Sequence, residues 1–92
     1  VGYLFSSKIR LELEMAGKSL EHFIALAEAS QDGGLAYAEV HLRTRGEAAP
    51  VVVRRVLTDR TFRSLDEAQA AANKFISERL VEATVDGELV LK

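Results

Sequence analysis

The chain contains no cysteine. That excludes a disulfide framework, a thiolate zinc site and a cysteine nucleophile. It has two histidines, His22 and His41, whereas a metal centre needs three or four convergent ligands. His22 stands beside Glu21 on what reads as a solvated flank. His41 has Glu39 two positions away, and there the ligand set ends. Neither a metal nor a cofactor is expected. No apolar run reaches the length needed to span a bilayer, so no membrane partner is expected. The opening residues, VGYLFSSKIR, lack the basic start and apolar centre of a secretory signal, which makes the cytoplasm the expected compartment. Proline occurs once, and no linker or low-complexity segment divides the chain.

What remains is an ordinary globular composition, 48% apolar and 28% charged over 92 residues. A chain of this size buries roughly 60–65% of its unfolded surface, enough for one modest core. One α+β domain over residues 1–92 is the expectation. Arginine exceeds lysine and alanine is abundant, which fits a GC-rich bacterial coding sequence. Net charge is −2, against a general nucleic-acid binder. The charge is uneven, however. Residues 43–63 hold six arginines (Arg43, Arg45, Arg54, Arg55, Arg60 and Arg63) against Glu47 and Asp59, a net of +4. The remainder carries six basic and twelve acidic side chains, a net of −6.

Periodicity divides the chain. Residues 5–15 alternate apolar and polar side chains, the mark of a half-buried strand. A short AGK turn follows. Ser19 then reads as an N-cap, and Leu20, Phe23, Ile24 and Ala27 take the i, i+3, i+4, i+7 spacing of an amphipathic helix. Asp32-Gly33-Gly34 would end that helix, with Gly33 left-handed at its C′ position. Residues 35–45 alternate again: Ala36, Ala38, Val40 and Leu42 on one face, Tyr37, Glu39, His41, Arg43 and Arg45 on the other. Residues 51–58 are β-branched and strand-like. Ser64 and Glu67 form a capping box, with Phe62 placed to staple the helix start. The helix it opens buries Leu65, Ala68, Ala72, Phe75 and Ile76 and runs to about residue 80. Asp86-Gly87 then signals a two-residue hairpin within residues 81–91.

The order β-α-β-β-α-β predicts a ferredoxin-like α+β sandwich, an antiparallel sheet with two helices on one face. The other face is left to water, a ligand or a partner. The competing reading makes residues 8–31 one long helix and gives αβββα.

Little in the sequence points to catalysis. Ala16-Gly17-Lys18-Ser19 resembles the tail of a phosphate-binding P-loop, but Glu12 stands where that motif needs its first glycine. The amide-rich loop with an arginine that acylphosphatase-type chemistry requires is absent. No nucleophile, base and orienting acid fall together, so the chain reads as non-enzymatic. Small-ligand binding, as in regulatory domains of this architecture, finds no Gly-rich loop.

Two binding classes remain. Tyr37, His41, Arg43, Arg45, Arg54 and Arg55 are the candidate residues for a partner or an anion. Arg54 and Arg55 are adjacent, so a regular pleat parts them. Both reach the open face only if a β-bulge or a strand end intervenes, and one charge left unpaired in the core would be costly. The expected architecture resembles RNA-recognition domains, which stack bases on aromatics of an open sheet. One tyrosine and the strand VVVRRVLT depart from that pattern. The first expectation is therefore a protein partner or a second copy, met through the open sheet face or edge. Nucleic-acid binding through residues 43–63 is the alternative.

Overall fold

The computed structural model of the chain describes residues 16–92. The strand expected over residues 5–15 lies outside the described residues. Four strands form an antiparallel meander: β1 (Gly17–Ser19), β2 (Ile24–Asp32), β3 (Leu35–Arg43) and β4 (Val52–Val56), side by side in that order. One helix follows, α1 (Leu65–Glu78), and then a separate two-stranded hairpin of β5 (Leu80–Ala83) and β6 (Leu89–Leu91). The molecule is α+β, but with one helix among the described residues rather than two. Neither the ferredoxin-like order nor the αβββα alternative holds, because residues 24–32 are a strand.

The reason lies in two glycines. Gly33 and Gly34 both take positive φ, 61° and 83°. A helix C′ position needs one such residue. A two-residue hairpin in the mirror-image turn needs two. That turn locks β2 to β3 in nine consecutive pairs, from Asp32 opposite Leu35 to Ile24 opposite Arg43. Phe23, Ala25 and Ala27 then fall on one face and are buried, while Ile24, Leu26, Glu28 and Ser30 fall on the other. Ser19 caps no helix; it ends β1, which pairs with β2 from Gly17 opposite Leu26 to Ser19 opposite Ile24.

α1 begins as its sequence dictates. Ser64 Oγ accepts from the Glu67 amide at 3.2 Å, and the Glu67 carboxylate accepts from the Arg63 amide at 3.1 Å. The return bond thus reaches one residue further back than the usual capping box. Phe62 forms an isolated bridge with Ala36 and packs against the core. Leu65, expected inside, is exposed.

The helix lies on the face of the sheet lined by Ala25, Ala27, Ala38, Val40 and Leu42. Ala68 and Ala72 of the helix are fully buried there. Small side chains on both layers let helix and sheet approach closely, and Phe75, Ile76 and Leu80 fill the end beyond them. Polar contacts fix the seat. Gln69 Nε2 donates to the Ala27 carbonyl at 2.8 Å and to Asn73 Oδ1 at 3.1 Å, and Asn73 Oδ1 accepts from the Ala16 amide.

The C-terminal hairpin packs on the same side. Lys18 Nζ donates to the Leu80 carbonyl. At the hairpin tip the Gly87 amide donates to the Thr84 carbonyl and the Thr84 amide to the Glu88 carbonyl, closing a three-residue loop with Gly87 at φ 87°. The two-residue loop expected from Asp86-Gly87 is therefore one residue longer, with the glycine as the left-handed bulge position. A Cβ on Gly87 would come within 2.9 Å of Val52 Cγ2, so this tip sits hard against β4.

Candidate interaction face

With α1 and the C-terminal hairpin on one side, the other side of the sheet is covered by neither of them. Cross-strand partners share a face, so the register defines its rows. Gly17, Leu26, His41 and Val53 form the central row. Glu28, Glu39 and Arg55 form the row to one side, with Ser30 and Tyr37 beyond it. Ser19, Ile24 and Arg43 form the row on the opposite side. Gly17 has no side chain, and that leaves room for Leu26, whose Cδ2 would lie 3.1 Å from an added Cβ.

The centre of charge on this face is Glu39, a residue of the alternating β3 pattern. It is only 9% exposed. One carboxylate oxygen accepts from Ser30 Oγ at 2.7 Å and the other lies 3.0 Å from His41 Nε2, with Arg55 Nη2 at 3.9 Å. Burial pushes this carboxyl upward. The hydrogen bonds from His41 and Ser30, with the charges of His41 and Arg55, outweigh that and hold its pKa below the ordinary value. Arg55 also stacks over the Tyr37 ring, its guanidinium carbon 3.9 Å from the centroid. Tyr37, Glu39, His41 and Arg55 therefore form one interlocked cluster.

The six sequence candidates divide. Tyr37, His41, Arg43 and Arg55 come together on the face turned away from α1. Arg45 does not. It lies past the end of β3, and its guanidinium donates to the Glu21 carbonyl at 3.0 Å, to Ser19 Oγ at 2.9 Å and to the Leu20 carbonyl. It clasps the β1–β2 connection. Arg54 does not either. β4 pairs regularly through it, so no bulge forms, and Arg54 stands beside Val40 on the helix side. At that sheet edge it avoids the core: Nε donates to the Gly87 carbonyl at 3.0 Å and Nη2 pairs with Glu88 at 3.4 Å. Arg43, Arg45, Arg54 and Arg55 thus make no single patch.

Sequence reasoning missed Ile24, Leu26, Glu28 and Val53 as face residues. The first three were hidden by the helical reading of residues 20–31. Val53 was legible from the alternation of β4. Arg43 is unusual. Its Nε is buried and has no hydrogen-bond partner, and Nη1 reaches the Glu47 carbonyl only at 3.4 Å. Glu28 faces Glu39 directly across the β2–β3 ladder and makes no ion pair among the described residues. Like charges so placed are destabilising.

The remaining surface offers less. A groove of about 190 Å³ beside α1, lined by residues including Leu57, Lys74, Phe75 and Arg79, is below the roughly 300–1,000 Å³ of small-molecule sites. Among the described residues no three acidic or histidine side chains converge as metal ligands, and no helix is long and apolar enough to cross a membrane. No protein-family model, curated protein or solved structure matches the chain.

Proposed function

We propose that this chain is a non-enzymatic interaction module that binds a protein partner through the face of its four-stranded sheet turned away from α1. The observation that carries the reading is the composition of that face. Leu26 and Val53 flank His41 in the central row, Ile24 lies in the next row, and ordered charge stands around them at Glu39, Arg55 and Arg43. Val53 is 51% exposed. Apolar centres with a polar, hydrogen-bonded border are how protein interfaces are built. Nucleic acid is served less well. The acidic pair Glu28 and Glu39 borders the central row, Tyr37 is already stacked under Arg55, and Arg45 and Arg54 are engaged elsewhere.

Position-dependent photo-cross-linking tests this. A photoreactive residue at Val53, in cells that make the protein, should give adducts of defined mass. The same residue at Ala70, exposed on α1, should not. Adducts at Ala70 alone, or at neither position, would overturn the proposal.

A further inference from the structure

We infer that the partner on this face is a second copy of the same chain, related by a two-fold axis that crosses the strands along the row Leu26–His41–Val53. The inference rests on the reading above and adds the occupant and its geometry. A face-to-face dimer places its axis in the plane between two sheets, and the surface must be self-complementary. Two orientations suit a strand ladder. An axis along the strands lays β2 over β3 and sets Glu28 against Glu39 of the copy, acid on acid. An axis across the strands lays each strand over itself in reverse. The row containing Glu39 then covers the row containing Arg43, so each Glu39 meets an Arg43 and the two contacts are equivalent.

Two local features fit the crossed axis. Glu39 already takes three neighbours but keeps acceptor capacity for a fourth. A cation laid over this part of the face suits two acidic residues paired across the ladder, Glu28 and Glu39. On the axis itself Leu26, His41 and Val53 each meet their own copies, an imidazole pair between two apolar contacts.

The area sets the size class of the interface. β2 and β3 run nine residues each, about 30 Å, and four strands span about 19 Å. Because β1 and β4 are short, the face offers about 450 Å² in projection, below the roughly 800 Å² per partner of a standard interface. An interface of this size falls in the small, transient class, and a dissociation constant of about 1–100 μM is expected from that class, since area alone does not fix affinity.

Sedimentation of the full chain is the experiment. The wild type should pass from monomer to dimer in that range. Arg43→Glu and Glu39→Arg should each weaken the dimer at least tenfold. Mixed together, the two variants should pair, because both contacts between positions 39 and 43 are again acid against base. Should Glu39→Arg fail to fold, single cysteines give an independent readout in a chain that has none of its own. Val53→Cys should be joined to its copy by a short bis-maleimide, and Ala70→Cys should not. A monomer throughout the range, or a dimer indifferent to Arg43→Glu and cross-linked through position 70, would overturn the inference. A monomer whose photo-adducts at Val53 contain a different protein would remove the second copy and leave the face. A monomer with no adducts at Val53 would remove both.

Discussion

Removing the Arg45 side chain separates a structural arginine from a binding one. The β3 alternation places Arg45 with Arg43 on the open face, but its guanidinium is spent on the Glu21 and Leu20 carbonyls and on Ser19 Oγ. Hydrogen bonds from a charged donor contribute roughly 1.5–3 kcal/mol each when buried. Arg45 is exposed, so each is discounted toward the level of a surface pair, roughly 0–1 kcal/mol. Three together give about 1–2 kcal/mol for Arg45→Ala. That corresponds to a fall in melting temperature of about 4–16 °C for a domain of this size. The assay is urea unfolding, with the midpoint shifted and the slope unchanged, since the surface exposed on unfolding stays the same. Arg45→Lys should recover little, because one ammonium cannot reproduce the fork. The dimerisation constant, measured well below the new melting temperature, should not move. Unchanged stability combined with weakened association would refute the reasoning and return Arg45 to the binding surface.

Other outcomes follow from the same geometry. Gly87→Ala should cost about 2 kcal/mol, combining a left-handed φ with a close approach to Val52, and the loss would appear in the same urea titration. Ser64→Ala should cost about 1 kcal/mol through the amide left open at the start of α1, while Ser64→Asp should be nearly neutral. The folded Glu39 carboxyl titrates below its ordinary value, so its contribution is complete above about pH 4.5 and is lost as pH falls through the lower folded value. Glu39→Gln, facing the same Glu28, His41 and Arg55, should therefore flatten the acid limb of the stability profile and leave the neutral region less stable than wild type.

The sequence was legible where only one period fitted. In β3 the alternation of Ala36, Ala38, Val40 and Leu42 with Tyr37, Glu39, His41 and Arg43 admits no helix, and the faces came out as read. The capping box and the stripe Ala68, Ala72, Phe75 and Ile76 located α1 for the same reason. β2 failed because its apolar residues satisfy two periods at once. Leu20, Phe23, Ile24 and Ala27 fit 3.6, whereas Phe23, Ala25 and Ala27 fit 2, and alanine is at home in either. The deciding signal was the paired glycines at 33 and 34, whose two positive φ values belong to a hairpin. The lost strand took half of the candidate face with it. Ile24, Leu26 and Glu28 become neighbours of Arg43, His41 and Glu39 only through the β2–β3 register, which is a long-range fact. Arg54 and Arg55 were parted by the pleat itself, and Arg54 escaped burial because it stands at an edge next to Glu88.

The central claim is that association uses the sheet face turned away from α1. Backbone amide spectra recorded as the protein is diluted through its dissociation constant test it most directly. The account predicts shifts concentrated at Leu26, Glu39, His41 and Val53, with Ala70, Lys74 and Ser77 on the exposed side of α1 stationary. Shifts centred on those three helix residues, with the sheet face unmoved, would contradict it.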